Sequence, residues 1–250
     1  MTSRHGGTLI HAVRDELGLI EVIDKEQSRS LYLGSTIEQS CIHRHDPWKL
    51  QFAYYAPLIQ GALLHPDPQK ILVLGMGGGI VVKYLHQFLN TAHITGVEYR
   101  EAVIDLAFSH FGLESSERLD IFSADASYFL EQSPNNWDLI IIDLYDAYGM
   151  SDRLSRLHFF DACREHLTPS GLISINLWCN DSQEYRLILN RICQVFEYRR
   201  LIADTSHDNI VVYGLNTPIT PLKQLRQRCK TSTLPLNNRY WLSRLKEVDR

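Results

Sequence analysis

The run Ile71–Gly79, ILVLGMGGG, constrains this chain more than any other stretch. Four apolar residues lead straight into a glycine-rich turn. An unbroken apolar run suits a strand covered on both faces, as in a parallel sheet flanked by helices. Gly75, Gly77, Gly78 and Gly79 let the backbone turn sharply and approach a ligand closely. Ile80–Leu89 has helical spacing, so the turn opens onto a helix N-terminus. The next predicted strand, His93–Val97, ends at Glu98, 23 positions after Gly75. In a nucleotide-binding βαβ unit an acid about 20 residues past the turn hydrogen-bonds ribose hydroxyls. A unit whose glycines serve packing alone is the competing reading, and the position of the acid weighs against it.

With 250 residues the chain has room for one large domain, or one domain and a small appendage. The formal charge of −4 carries no basic signature, so nucleic acid is not an expected partner. Five scattered cysteines without a CxxC pair fit reduced thiols in a cytoplasmic protein. The first residues, MTSRHGGTLIHAVRDE, lack the apolar centre of a signal peptide, and no apolar run approaches the length of a membrane span.

Residues 1–46 predict a small β-unit with strands at Leu17–Ile23, Ser30–Leu33 and Thr36–Ile42. Asp46-Pro47 predicts the start of a helix over Trp48–Leu64, which Pro57 must kink or divide. From Ile71 strand and helix alternate through residue 215. Helices are expected at Glu101–Phe111, Ala126–Glu131, His158–Leu167 and Gln183–Phe196, with strands at Leu119–Ser123, Asp138–Ile142 and Leu172–Trp178. Tyr198–Ala203 and Asn209–Leu215 are joined by too few residues for a crossover helix, so they should pair antiparallel. Residues 216–250 read as a polar tail with a helix at Leu222–Cys229, whose Lys223, Arg226, Arg228 and Lys230 form a solvated face. The expected division is 1–46, 47–215 and 216–250.

In open α/β sheets ligands bind beyond the carboxyl ends of the strands. Glu98, Asp125 and Asp143 all fall at such ends. Glu98 fits ribose. Asp125 with Ala126 fits the exocyclic amine of adenine; the competing reading of Asp125 is an N-cap on the following helix, and both roles can hold together. Asp143 and Asp146, in WDLIIIDLYDAYG, form a pair suited to a cationic amine, one binding an ammonium while the other takes a proton from the attacking nitrogen. The alternatives are a loop-closing Asp143 and a solvated Asp146. Tyr145 and Tyr148 border this pair, either as cation–π partners of an amine or as loop packing. His43-Arg44-His45-Asp46 lacks the further ligands of a metal site and reads as a surface feature.

The stretches HPDPQKILVLGMGGG, GVEYREAVIDLA, SADASYFL, WDLIIIDLYDAYG and LTPSGLISINLW together resemble the spermidine/spermine synthase family of polyamine aminopropyltransferases. The resemblance covers about residues 65–178 and extends weakly back to about residue 17. It implies an α/β fold with a Rossmann-like class I S-adenosylmethionine-dependent transferase sheet and a small N-terminal β-unit. It implies aminopropyl transfer from decarboxylated S-adenosylmethionine to an amine or polyamine, with methylthioadenosine released, and a homodimer. The sulfonium itself supplies the leaving group, so no metal is expected, and the lack of a long apolar run gives no expectation of a membrane partner. Asp143 becomes the catalytic base and Asp146 an amine ligand, with Gln51 the retained glutamine of the acceptor pocket; Tyr145 joins the expected acceptor site through its place beside the acid pair. Gly75, Gly77, Gly78, Gly79, Glu98, Asp125 and Ala126 become the nucleoside site.

The chain also departs from that pattern. The family's glycine loop reads G-G-G-D-G-G, and Gly78 stands where its acid helps hold the aminopropyl tail. Its Y-Q-E segment aligns with Leu50-Gln51-Phe52, which keeps the glutamine and loses the tyrosine. Its P-S/T-Y-P-S-G-x-W stretch has no counterpart in Tyr198–Ile210. The expected donor site is therefore intact and the polyamine pocket rebuilt. A methyltransferase using ordinary S-adenosylmethionine and a non-catalytic nucleoside-binding protein are the competing functions.

Overall fold

A computed structural model describes residues 3–179, 182–204 and 209–248. The chain forms two sheets. The first is an antiparallel meander in sequence order: β1 (Ser3–Arg4), β2 (Gly7–Asp15), β3 (Gly18–Asp24), β4 (Ser28–Tyr32) and β5 (Glu38–His43). Three of its strands were expected. β1 and β2 were not. A register shift between Leu9 and His11 breaks the alternation of β2, which otherwise marks a half-buried strand.

The predicted helix over Trp48–Leu64 is corrected to a short one. Only α1 (Tyr55–Gln60) and a 3-10 turn, Gly61–Leu64, are helical. Pro57 falls in the first turn of α1, where the missing N–H has no intrahelical partner to lose. The proline therefore marks the start of this helix and does not kink a longer one. Asp46 closes a turn on the Trp48 N–H instead of starting a helix.

The second sheet has eight strands in the order β13-β11-β12-β10-β9-β6-β7-β8. β6 (Lys70–Leu74), β7 (His93–Glu98), β8 (Leu119–Ser123), β9 (Trp137–Ile142) and β10 (Leu167–Trp178) run parallel. The helices α2 (Ile80–Phe88), α3 (Glu101–His110), α4 (Ala126–Gln132), α5 (Leu157–Glu165) and α6 (Ser182–Val195) connect them and lead to β11 (Tyr198–Asp204). β12 (Asn209–Leu215) inserts antiparallel between β10 and β11. The turn joining β11 to β12 lies outside the described residues. Chain order reverses at β6, which has β7 on one side and β9 on the other. Ile71–Leu74 and Leu139–Ile142 are fully buried, as strands covered on both faces require.

The region after residue 215 is more than a polar tail. It forms α7 (Leu222–Thr231), α8 (Asn238–Arg244) and β13 (Lys246–Glu247), which adds to the edge of the sheet. Leu225, Leu234, Trp241 and Val248 are buried. Trp241 Nε1 donates to the Tyr213 hydroxyl at 2.9 Å, and that hydroxyl donates to the Pro57 carbonyl at 2.7 Å. Gln60 donates to Asn238 at 2.7 Å. Arg228, expected on a solvated face, instead caps the Leu63 and Leu64 carbonyls. Trp241→Ala should lower unfolding free energy by about 3–5 kcal/mol in urea titration. An unchanged midpoint would show that the tail is not part of the folded core.

Candidate active site

At the reversal of strand order, Gly75 leaves β6 with φ +79°. A Cβ there would lie 2.3 Å from the Asp143 carbonyl oxygen, so only glycine lets the ends of β6 and β9 come this close. Gly77, at φ +48°, faces Ser40 of β5, where a Cβ would meet the hydroxyl oxygen at 2.6 Å. The Gly78 N–H donates to that same oxygen at 2.9 Å. The N-terminal sheet thus closes over the glycine turn. Arg100, just past β7, strengthens the closure with two bonds to Asp15, at 2.9 and 2.6 Å.

The space between the two sheets is a cavity of about 670 Å³. Gly75, Gly77, Glu98, Asp125, Ala126, Asp143, Tyr145 and Asp146 all line it. Gly78 and Gly79 do not: Gly78 packs on Ser40 and Phe111, and Gly79 is the left-handed residue that begins α2. Gln51 does not line it either, and its amide folds back onto the Lys49 carbonyl. Its place in the wall is taken by Phe52, Ala53, Tyr54 and Tyr55. Leu50 keeps no tyrosine at the family's position, and this chain's own Tyr54 and Tyr55 stand in the wall nearby.

Glu98 accepts from the Gly77 N–H at 3.1 Å and the Arg100 N–H at 3.2 Å. These two bonds leave lone pairs on both oxygens for a ligand's hydroxyls. Burial pushes its carboxyl above the ordinary range against the backbone N–H groups that favour the charge. Asp125 is the N-cap of α4, accepting from the Ser127 and Tyr128 N–H groups with one oxygen. Its other oxygen pairs with Arg153, whose guanidinium also lies over the Tyr99 ring. Burial pulls the Asp125 carboxyl up, but Arg153 and the capped N–H groups outweigh it, and the net pKa is lowered.

Asp143 is held differently. One oxygen accepts from Asn176 Nδ2 at 2.9 Å, the other from the Tyr54 hydroxyl at 3.2 Å. Burial pushes its pKa up to about 6, against the pull of these two donors. Burial and the nearby Asp143 charge push the Tyr54 phenol well up, so it stays a donor. Sequence reasoning missed Tyr54 and Asn176 as partners of Asp143. Nothing in the sequence marks a contact between Tyr54 and Asp143 across 89 positions. Asp146 accepts from the Tyr148 and Gly149 N–H groups and so shapes its own loop, leaving the second oxygen available. The Tyr145 hydroxyl donates to the Asn176 carbonyl, and Tyr148 is exposed. His43 Nδ1 accepts from the His45 and Asp46 N–H groups. Among the described residues no cluster of His, Cys, Asp and Glu could hold a metal ion, and no helix is long and apolar enough to cross a membrane.

The strand order, the reversal point and the acids at successive strand ends define a Rossmann-like transferase fold of the class I S-adenosylmethionine-dependent type. More particularly, the chain belongs to the spermine/spermidine synthase family: the spermine/spermidine synthase domain matches residues 56–212. A polyamine aminopropyltransferase of Neisseria meningitidis is 29% identical over 244 residues, covering 96% of this chain and 91% of that protein. One from Chromobacterium violaceum is 29% identical over 213 residues, covering 84% and 81%. Among solved structures, a spermidine synthase in complex with the transition-state analogue AdoDATO has a TM-score of 0.76 at 21% identity, over 94% of this chain and 83% of that one. Human methyltransferase-like protein 13 in complex with SAH has a TM-score of 0.66 at 21% identity, over 79% and 96%.

The elevated pKa of Asp143 has a consequence for stability. An unfolded aspartate titrates near 3.8, whereas Asp143 in the fold titrates near 6. Between those values the folded state binds more protons than the unfolded one, so this residue's contribution to stability falls as pH rises. Asp143→Asn should be more stable than wild type by about 3 kcal/mol at pH 7, with the gap closing towards pH 4. Urea unfolding at the two pH values measures this. Equal stabilities at pH 7 would show that the carboxylate ionises without cost.

Proposed function

We propose that this protein transfers an aminopropyl group from decarboxylated S-adenosylmethionine to a primary amine or polyamine and releases methylthioadenosine. The observation that carries the reading is Asp143, a recessed carboxylate with a pKa of about 6, held by neutral donors in the wall of the cavity between the two sheets. A base poised near neutral pH can take a proton from an amine as it attacks. An alkylamine alone, with a pKa of about 10, is almost entirely protonated at pH 7.

The glycine turn would receive the nucleoside, with Glu98 accepting from the ribose hydroxyls. Ala126 and the Asp125 corner would border the adenine. In the reaction, the amine nitrogen attacks the propyl carbon bonded to sulfur. The C–S bond breaks and its electron pair returns to the sulfonium, which becomes a neutral thioether. The proton lost by nitrogen passes to Asp143. Asp146 would hold the distal ammonium of the acceptor, with Tyr145 as a wall of the same pocket.

The balance of charge in the cavity favours the decarboxylated donor. Its described lining includes the acids Glu38, Glu98, Asp125, Asp143 and Asp146 and only two cations, Arg100 and Arg153. Both cations are committed, to Asp15 and Asp125. A donor carboxylate would enter without a free partner. The feature on the other side, Gly78 in place of the family's loop acid, loses its force because Gly78 packs on Ser40 and Phe111 outside the cavity lining. The same proposal includes a homodimer, which the family resemblance implies, in the cytoplasm, which the scattered cysteines suit.

Asp143→Asn should lower turnover about 10²–10⁴-fold while leaving methylthioadenosine affinity nearly unchanged. Glu98→Ala should weaken methylthioadenosine binding at least about tenfold in calorimetry, since it removes a charged acceptor from two hydroxyls. Asp146→Asn should raise the amine KM more than it lowers kcat. The activity assay is methylthioadenosine release over a panel of diamines, beside methyl transfer to the same amines. Wild-type turnover by Asp143→Asn, or methyl transfer in place of methylthioadenosine release, would overturn the proposed reaction.

A further inference from the structure

Two amides stand behind Asp143, and neither has a place in the reaction as written above. Asn176 is on β10 and is 1% exposed. Its Nδ2 donates to Asp143 Oδ1 at 2.9 Å. Its Oδ1 accepts from Asn209 Nδ2, also at 2.9 Å. Asn209 is the first residue of β12 and pairs in register with Trp178, two residues past Asn176 on the neighbouring strand. An asparagine side chain has a donor end and an acceptor end that exchange on a half-turn. Which end faces Asp143 therefore depends on what faces the other end.

We propose that Asn209 is a positioning residue for the reaction: it holds the Asn176 amide with its donor end towards Asp143. With Asn209 donating to Oδ1, only Nδ2 is left to meet the carboxylate. A hydrogen bond to the ionised form favours that form. If the amide turned over, its oxygen would face the carboxylate and oppose its charge. The inference rests on the proposed role of Asp143 for its catalytic consequence, though not for its geometry.

The titratable groups around Asp143 leave this amide pair a large share of the control. Tyr54 and Tyr55, at the start of α1, and Tyr145, in the loop after β9, face it as phenols pushed above their ordinary range. Cys179 and Glu184 act on Tyr145 rather than on Asp143 directly. The glycine turn brings no titratable side chain. Asn176 and Tyr54 are the two side chains that pull the Asp143 pKa down against burial.

The test uses the full-length protein with aspartate carboxyls labelled with carbon-13. The Asp143 resonance is assigned by its loss in Asp143→Asn, and its titration midpoint is followed by NMR. Asn209→Leu, which has no donor, should raise the midpoint by roughly 0.5–1 pH unit. In an Asn176→Ala background the same substitution should leave it unmoved, because the relay is already cut. Asn209→Asp, whose carboxylate accepts only, should raise the midpoint further in the wild-type background than in the Asn176→Ala background. The excess separates amide reversal from simple charge repulsion, and this variant replaces Asn209→Leu if the latter fails to fold. In turnover, the acid limb of the pH profile should move with the midpoint while methylthioadenosine affinity stays constant. An unmoved midpoint in Asn209→Leu, or equal shifts in both backgrounds, would overturn the relay. The shifts without methylthioadenosine release by wild type would leave the relay standing and remove the aminopropyl reading.

Discussion

The structure depends on the close approach of Gly75 to the carbonyl of Asp143. Two strand ends meet there at the reversal of chain order, and no side chain fits between them. The approach is closed by paired backbone bonds: the Gly75 N–H donates to Val97 and the Asp143 N–H donates to Leu74, both at 2.9 Å. Three strands are thus tied at one level of the sheet. The turn after β6, the acid ending β7 and the acid ending β9 then open onto a single cavity. A larger residue at position 75 would part β6 from β9 and separate the glycine turn from the acid that faces it.

The rest of the chain holds that cavity from outside the sheet. The N-terminal meander touches both of its ends: Ser40 takes the Gly78 N–H, and the neighbouring Gln39 donates to the Asp146 carbonyl at 2.9 Å. The C-terminal helices work from the opposite side. Trp241 fixes the Tyr213 hydroxyl, which holds the Pro57 carbonyl in the first turn of α1, directly after Tyr54 and Tyr55. Single hydrogen bonds of this kind contribute only about 1 kcal/mol each. Their value here lies in direction: the bond on Pro57 fixes the first turn of the helix whose N-cap, Tyr54, reaches Asp143.

The sheet was legible because its signals are local. An apolar run, a glycine turn and an acid at the following strand end each lie within one βαβ unit, and Asp138–Ile142 announces a buried strand by composition alone. The features that escaped lack such local marks. The bulge in β2 erases its alternation. Pro57 can read as a kink or as a first turn, and only the packing of α1 against Ser174 and Tyr213 decides between them. Trp241 is one aromatic residue in a charged stretch, and its burial depends on a strand 28 positions earlier. Of the site, the acids were legible as residues at strand ends, whereas their partners were not. Asp125 was open between two roles, and its N-cap geometry is one of them. Gln51 was expected in the wall through alignment with a motif, and Tyr54, three residues later, is what the fold turns inward.

The partners matter because they set the same residue type to opposite tasks. Asp15, Asp24 and Asp125 each face an arginine, and each has its pKa lowered. Such carboxylates are ionised across the useful pH range and are weak bases, fitted to hold structure. Asp143 is recessed to a similar end but meets only an amide and a phenol. Neutral donors satisfy its lone pairs without cancelling the cost of burying its charge, so its pKa stays near 6. An arginine in place of Asn176 would bind the carboxylate more strongly and remove the basicity that a proton acceptor needs. Neutral partners in turn demand orientation, because an amide presents either a donor or an acceptor and a phenol can rotate. The buried relay through Asn176 and the tether on the turn that follows Tyr54 supply that orientation. A charged partner would not have required it.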